Sequence, residues 1–306
     1  MPEVPAGFTP DVSRKRSAEA GSSPERGPDR KRTCWGILTS QGSWADRSPL
    51  HEAASQGRLL GLRTLLDQGF YPNVVTIDHV TPLHEACLSG HVACVRALIN
   101  AGANVNAATI DGVTPLFNCC SSGNAGCLEL LLQSGARARA QHTHFPSALH
   151  EACKRGSSQC VEVLLAHGAD PDAQLSHQGS PLYVSCLHQH TACSKILLHR
   201  GASANVGCGE ESPLHAAVKL DSADLVSVLL DYGADVNLRD RSNKRPVDLA
   251  PSSGKTKKLL QAFEASPRTL CQLCRIQIRN SIGRSRLKQL SCLPLPPLLT
   301  NYLEHT

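Results

Sequence analysis

A repeat with a period of about 33 residues constrains the fold of this chain more than any other feature. Strings that resemble Ser/Thr-Pro-Leu-His begin at Ser48, Thr81, Thr114, Ser147, Ser180, Ser212 and Arg245. The interval between successive starts is constant, apart from one that is shorter by a single residue. A second marker has the same spacing: Gly69, Gly102, Gly135, Gly168, Gly201 and Gly233. Because two separate markers share one period, the middle of the chain is predicted to stack copies of one unit.

Each unit is predicted to be a pair of helices. Ser or Thr caps the first helix, and Pro follows at the first helical position. A glycine such as Gly90 lies in the turn between the helices, and apolar runs such as 95–99 mark the second helix. Gln189 and Asp221 replace that glycine in units five and six, where less regular turns are expected. One helix pair cannot bury its apolar face alone, so the units are expected to form a solenoid.

These strings resemble the ankyrin repeat, with TPLHEA at 81–86 and a GADVN-like loop at 102–106. The resemblance implies an all-α solenoid of six full repeats and a degenerate seventh, in which Arg245 and Asp248 replace the usual Thr and His. The predicted ankyrin domain covers 43–264. Its repeats are predicted at about 45–77, 78–110, 111–143, 144–176, 177–208, 209–241 and, in part, 242–264.

The repeated cysteines and histidines are interpreted as packing residues. Eight cysteines recur at two fixed positions of the unit, which indicates small apolar side chains in a core: Cys87, Cys94, Cys120, Cys127, Cys153, Cys160, Cys186 and Cys193. The doublets at 51–52, 84–85 and 150–151 resemble part of a zinc-protease motif but lack the second histidine four residues on. No catalytic residue, metal or cofactor is therefore predicted.

A different pattern occupies residues 265–306. Ser266 and Pro267 are expected to begin a helix that carries Leu270, Cys274 and Ile278 on one face. Leu273 widens this stripe, and Gly283 is expected to end the helix. A short helix is predicted at about 286–290 and a last one after the prolines. The extended segment before that last helix is Leu293, Pro294, Leu295 and Pro296.

This segment resembles a SOCS box, a module of three helices. The sequence at 269–278 is similar to the box that binds elongin C, and the LPLP run is similar to a cullin-5 box. The resemblance implies that Leu270, Leu273, Cys274 and Ile278 bind elongin C. It also implies that Leu293, Pro294, Leu295 and Pro296 select cullin-5.

Ankyrin repeats followed by a SOCS box are typical of the ankyrin-repeat and SOCS-box protein family, and the chain is most similar to shorter members such as five and eleven. The resemblance implies a non-catalytic substrate receptor of a ubiquitin ligase, with elongin C, elongin B, cullin-5 and its RING-box subunit as partners. The repeats would hold a protein substrate for ubiquitination, often for proteasomal degradation. The alternative is a non-ligase ankyrin scaffold whose C-terminus caps the solenoid.

Aromatic and histidine residues that interrupt the repeat are the candidate substrate contacts, because exposed aromatics are favoured anchors at interfaces. Local packing is the alternative for all of them. The candidates are Trp44, Phe70, Tyr71, His142, His144 and Phe145.

Charge is distributed unevenly along the chain, with +2 in 1–47, −5 in 48–241 and +8 in 242–306. Neither nucleic acid nor membrane is a predicted partner, because the basic end has one tyrosine and no tryptophan, and the chain has no apolar run of transmembrane length. Residues 1–42 are rich in Ser, Pro, Gly and charge and are predicted to be disordered. Basic clusters at 14–16 and 30–32 fit a nuclear signal or a solvated linker, so the expected location is the cytoplasm and, as a second compartment, the nucleus.

Overall fold

The computed structural model describes residues 46–139, 147–252, 254–266, 269–282 and 296–304. Their helices form seven consecutive pairs followed by two single helices. The first four pairs are α1 Pro49–Ser55, α2 Leu59–Asp67, α3 Pro82–Ser89, α4 Val92–Asn100, α5 Pro115–Ser122, α6 Ala125–Gln133, α7 Ala148–Arg155 and α8 Ser158–Ala166. The remaining helices are α9 Pro181–Leu187, α10 Thr191–His199, α11 Pro213–Lys219, α12 Ala223–Asp231, α13 Pro246–Leu249, α14 Lys255–Ala265, α15 Leu270–Ile282 and α16 Pro297–Glu304.

The pairs stack as two layers of helices. The first helices of successive pairs contact one another from α1 to α13, and the second helices do so from α2 to α14. The layers share one core, in which leucines of both helices are fully buried, including Leu50, Leu83, Leu149, Leu182, Leu214, Leu98, Leu131, Leu164 and Leu197. The predicted all-α ankyrin solenoid is confirmed, and no β-strand forms within the described ranges.

The repeated histidines join each repeat to the next one. The Nε2–H of His51 donates to the Val80 carbonyl oxygen at 2.9 Å, and that of His84 donates to the Val113 carbonyl at 3.1 Å. His150 and His215 make the same bond to the following repeat. Each of these carbonyls also accepts a backbone N–H of its own loop, so the histidine uses the second lone pair of the oxygen and ties that loop to the preceding helix pair, which explains why the chain repeats this histidine.

The loops between repeats, which we call fingers, are joined at their bases by asparagine side chains. The Asn73 Oδ1 accepts the Asn104 N–H at 2.6 Å, while its Nδ2 donates to the Gly102 carbonyl at 3.1 Å. Asn106 bonds the next finger in the same way. The fingers are therefore ordered by side chains as well as by the helix pairs beneath them.

The expectation of less regular turns in repeats five and six is wrong. Gln189 and Asp221 adopt φ values of 59° and 49°, so they take the left-handed conformation of Gly123 and Gly156 in the same turn. The same backbone hydrogen bonds close the turns, although α9 and α11 end one residue earlier than α5 and α7. The stacked neighbours hold a backbone geometry that costs a residue with a Cβ about 1 kcal/mol.

The expected start of α15 is also wrong. Ser266 ends α14, and α15 begins at Leu270. The Thr269 Oγ1 accepts the Gln272 N–H at 3.2 Å, while the Gln272 Oε1 accepts the Thr269 N–H at 3.1 Å. This reciprocal capping box satisfies two free amides at the start of the helix. The short helix predicted near 286–290 lies outside the described residues.

Candidate functional site

One face of α15 is fixed to the solenoid by a buried arginine. The guanidinium of Arg279 donates to the carbonyl oxygens of Leu198 and His199, at 3.1 and 3.0 Å. It also donates to the Leu303 carbonyl of α16 at 2.7 Å. The residue is 7% exposed, so its hydrogen bonds are largely shielded from water. Arg279 therefore joins the solenoid and both described helices of the C-terminal segment.

Two earlier residues of α15 complete the contact. The Arg275 Nη2 donates to the Asp231 carbonyl at 3.4 Å, and its guanidinium lies 4.8 Å from the ring centre of Tyr302. Ile276 packs against Gly233, where an added Cβ would come within 3.3 Å of the isoleucine Cδ1. The docked face thus combines apolar packing with cation–π and hydrogen-bond contacts.

The arginines meet the carboxyl ends of two helices of the solenoid. Leu198 and His199 are the last residues of α10, and Asp231 is the last residue of α12. The final carbonyls of a helix have no partner within the helix and carry the negative end of its dipole. A guanidinium supplies several planar donors with a permanent positive charge, so it suits this position.

The opposite face of α15 exposes apolar side chains. Leu270 is 76% exposed, Leu273 is 47% and Ile278 is 38%, and the Cys274 thiol is also exposed. Arg279 follows Leu270 by two and a half helical turns, so the docked and exposed stripes lie on opposite sides. We call the exposed stripe of Leu270, Leu273, Cys274 and Ile278 the apolar face of α15.

The predicted cullin-binding residues are described only at their end. Pro296 is exposed and directly precedes α16, whereas 293–295 lie outside the described residues. On α16, Leu298 and Leu299 are 85% and 40% exposed, while Leu303 is buried against the rest of the molecule. This helix therefore resembles α15 in having one packed and one apolar exposed side.

The predicted substrate contacts are only partly described. Phe70 and Tyr71 are exposed on the first finger, at 40% and 68%. Trp44, His142, His144 and Phe145 lie outside the described residues. Three exposed apolar residues on the first two fingers were not predicted, although two of them are isoleucines at the same position of adjacent repeats: Val75, Ile77 and Ile110.

The buried cysteines and histidines have the environment of packing residues. All eight repeated cysteines are buried and unpaired, and burial raises the pKa of Cys186 to about 12 and that of Cys193 to about 11. Burial lowers the pKa of His84 and His150 to about 4, which keeps both rings neutral at pH 7. Across the described ranges, no group of three or more His, Cys, Asp or Glu side chains could hold a metal ion. None of the helices described there is long and apolar enough to cross a bilayer.

Two family descriptions match the chain. "Ankyrin repeats (3 copies)" matches residues 50–142 and 149–240, and "SOCS box" matches 266–304. The mouse ankyrin repeat and SOCS box protein 5 is 55% identical over 273 residues, which cover 89% of this chain and 82% of the relative. The human ankyrin repeat and SOCS box protein 13 is 42% identical over 95 residues, which cover 31% of this chain and 34% of the relative.

Solved structures agree with the fold. The crystal structure of the human ASB11 ankyrin repeat domain matches with a TM-score of 0.69 and 47% identity, covering 72% of this chain and all of that one. The Bcl-3 ankyrin repeat domain matches with a TM-score of 0.60 and 29% identity, covering 70% of this chain and 98% of that one. With both modules present in order, the chain belongs to the family of ankyrin repeat and SOCS box proteins.

Proposed function

We propose that this chain is the substrate receptor of an elongin–cullin-5 ubiquitin ligase. A SOCS box together with the family relatives supports a substrate-recognition adaptor role in ubiquitin ligase complexes, with elongins and a cullin as partners in general. The finer assignment is that the apolar face of α15 binds elongin C, bringing elongin B with it. Leu293, Pro294, Leu295 and Pro296 would select cullin-5 and its RING-box subunit.

The observation that carries the proposal is the division of α15 into two faces. A helix that only capped the solenoid would bury its apolar stripe against the repeats. Here the arginine-bearing face is docked on α10 and α12, while Leu270 and Ile278 are exposed to solvent. An exposed apolar stripe on a helix that is already held in place is what binding to a second protein requires.

In this mechanism the chain positions its substrate and catalyses no chemical step itself. The RING subunit would bring a ubiquitin-charged conjugating enzyme, and the repeats would hold a substrate lysine close to it. Confinement of two reactants replaces a bimolecular encounter by a local one with a high effective concentration. Arg279 and Arg275 would keep the ligase-binding helix in a fixed orientation relative to the substrate-binding repeats.

Co-expression with elongin B and elongin C, followed by size-exclusion chromatography, tests the elongin assignment. We expect the wild-type chain to elute with both elongins and the Leu270→Ala/Cys274→Ala variant to elute without them. Cys271→Ala is the matched control, because it removes another exposed thiol of α15 outside the stripe. Elution of the double variant with elongins would show that the apolar face is not the docking site. Elution of the wild type alone would favour the non-ligase scaffold.

The cullin assignment needs a second measurement on the purified elongin complex. Addition of cullin-5 with its RING-box subunit should give a larger complex with wild type. We expect Leu293→Ala/Pro294→Ala to lose cullin-5 and keep the elongins, whereas Pro297→Ala, just beyond the run, should keep both. Equal binding of cullin-5 by all three proteins would reject the role of the LPLP run.

A further inference from the structure

The tips of the first two fingers form one continuous edge. Thr76 N–H donates to the Val80 carbonyl at 3.0 Å and closes the first tip, and an equivalent bond from Thr109 closes the second. The Ile110 N–H then donates to the Asp78 carbonyl at 3.2 Å, which joins the second tip to the first. We call residues 77–79 and 110–112 the paired fingertips.

The paired fingertips expose aliphatic side chains that have no counterpart on the later tips that the structure describes. Ile77 is 71% exposed, Ile110 is 54% exposed, and Val75 beside them is 49% exposed. At the position of the two isoleucines, the described later tips carry Ser176, the half-buried Cys208 and Arg241, and the other residues of these tips are His177, Gln178, Gly209, Glu210, Ser242 and Asn243. Single exposed aliphatic residues are common on protein surfaces, but a cluster confined to one end of a polar row marks an interaction surface.

The same edge carries uncompensated negative charge. Asp78 follows Ile77, and Asp111 follows Ile110. Neither carboxylate forms an ion pair with any residue that the structure describes. The two fingers, 69–81 and 102–114, contain no lysine or arginine. The surface therefore alternates apolar and acidic side chains on a hydrogen-bonded support.

We propose that the paired fingertips bind the substrate protein through a segment in which apolar side chains alternate with lysine or arginine. This inference rests on the proposed function and names the chemistry of its substrate. Apolar side chains of the segment would cover Ile77 and Ile110, and its cations would pair with Asp78 and Asp111. Complementary charge speeds encounter and excludes acidic competitors, while apolar burial supplies affinity. Tyr71, exposed on the first of these fingers, is an aromatic group of the kind enriched at energetic centres of interfaces.

Selection from a random library of short peptides displayed on phage tests this chemistry. The bait is the full chain, purified with elongins B and C where they co-elute, and Ile77→Ser/Ile110→Ser serves for counter-selection. We expect enriched peptides to combine apolar residues with lysine or arginine. Enriched peptides that are acidic or uncharged, or no enrichment over the counter-selected variant, would overturn the proposal.

Fluorescence anisotropy with one synthetic enriched peptide then measures the contribution of each group. Ile77→Ser/Ile110→Ser should weaken binding about tenfold or more, since two apolar contacts are lost. Asp78→Asn/Asp111→Asn should weaken it less and flatten its salt dependence. His177→Ser, on the tip of the fourth finger, is the matched control and should bind as wild type does.

Thermal melts of all variants must coincide, because Ile77, Ile110 and His177 are exposed and both aspartates are only half-buried. Unchanged peptide affinity in Ile77→Ser/Ile110→Ser would overturn the proposal. So would a loss of affinity in the His177→Ser control as large as that in the isoleucine variant. Elongin co-elution is read separately and does not depend on the fingertips. Failure of the peptide experiment with elongins still bound would therefore reject the fingertip site alone, whereas loss of the elongins would reject the proposed ligase role.

Discussion

The solenoid and α15 use their side chains in opposite ways. Within the repeats, leucines are buried by neighbouring helices, and histidines such as His84 donate a hydrogen bond to a carbonyl of the next repeat. On α15, the arginines of the docked face donate hydrogen bonds to carbonyls at the ends of α10 and α12. The side chains of Leu270, Leu273 and Ile278 are instead exposed to solvent. The difference is that stacking buries the apolar side chains of the repeats, whereas nothing in the described residues covers the apolar face of α15, as the proposed elongin C contact would require.

The same substitution in the two regions should have very different effects on stability. Leu164→Ala removes a fully buried leucine of α8 and is expected to destabilise the solenoid by about 3 kcal/mol, from lost burial and a residual cavity. Leu270→Ala removes an exposed leucine and should change the free energy of unfolding of the solenoid by less than about 0.5 kcal/mol. Urea unfolding followed by circular dichroism measures both. Comparable losses would show that α15 buries its apolar face within the chain.

Removal of the buried arginine should loosen α15 without unfolding the repeats. Arg279→Met keeps the length of the side chain but removes its three hydrogen bonds to carbonyl oxygens, for an expected local loss of about 2 kcal/mol. Hydrogen exchange of the α15 amides should accelerate about 30-fold, with α4 and α6 unchanged. Arg275→Met also removes one positive charge and is the control. It should accelerate exchange less, because the hydrogen bond that Arg275 donates to the Asp231 carbonyl is 3.4 Å long and exposed. Equal exchange rates in wild type and Arg279→Met would contradict a docking role.

Acid should weaken the solenoid through its neutral buried histidines. Burial lowers the pKa of His84 and His150 to about 4, while each would titrate near 6.5 in the unfolded chain. As pH falls, the unfolded chain binds these protons first, so stability present above pH 6.5 is lost between pH 6.5 and 4. When the pH falls from 7.5 to 5, each of these two histidines should lower the free energy of unfolding by about 2 kcal/mol.

Urea unfolding at several pH values measures this loss. His84→Phe is the informative variant, because Phe117 occupies the same position in the third repeat. It should reduce the slope of stability against pH, even though it also removes a hydrogen bond and lowers stability at pH 7.5. The same slope in wild type and variant would mean that other groups cause the acid sensitivity.

The smallest effect is expected in the turns. Gln189→Gly should stabilise the fifth repeat by up to about 1 kcal/mol, because glycine adopts the φ of 59° without the penalty of a Cβ. Gly156→Ala, at the same turn of the fourth repeat, should lower the stability of that repeat. There φ is 73°, and a Cβ would lie 2.5 Å from the His190 ring. Thermal melts would compare the two, and stabilisation by both substitutions would contradict the assigned strain.

The regular part of the fold was predictable because it is repeated. A Ser or Thr cap, a proline and a buried leucine recur at the period of the repeat, so each unit supports the interpretation of the others. Burial of the cysteines followed from the same spacing. Turn geometry at Gln189 and Asp221 was not predictable from local preference, because packing of the neighbouring repeats overrides the cost of a left-handed residue there.

The candidate site was predictable only on its exposed side. The stripe of Leu270, Cys274 and Ile278 is visible as a helical period, but Arg275 and Arg279 resemble ordinary solvent-facing charges in the sequence. Their partners in the solenoid are main-chain carbonyls far earlier in the chain, and carbonyls leave no signal in sequence. A search for aromatic and histidine anchors does not find the paired fingertips, because Ile77 and Ile110 are aliphatic.

The exposed thiols of α15 provide natural labelling sites that can report on this helix. Among the described cysteines, Cys119 and those at the repeated positions are buried, Cys208 is half-buried, and Cys271 and Cys274 on α15 are exposed. Among the described thiols, a maleimide applied briefly to the folded chain should therefore label those of α15 first, since alkylation requires access to the sulfur. Cys34 and Cys292 lie outside the described residues, so the labelled positions are identified from peptide masses. Protection of Cys274 by a bound protein, with Cys271 as an internal reference, would follow occupancy of this helix in the natural sequence without an engineered label.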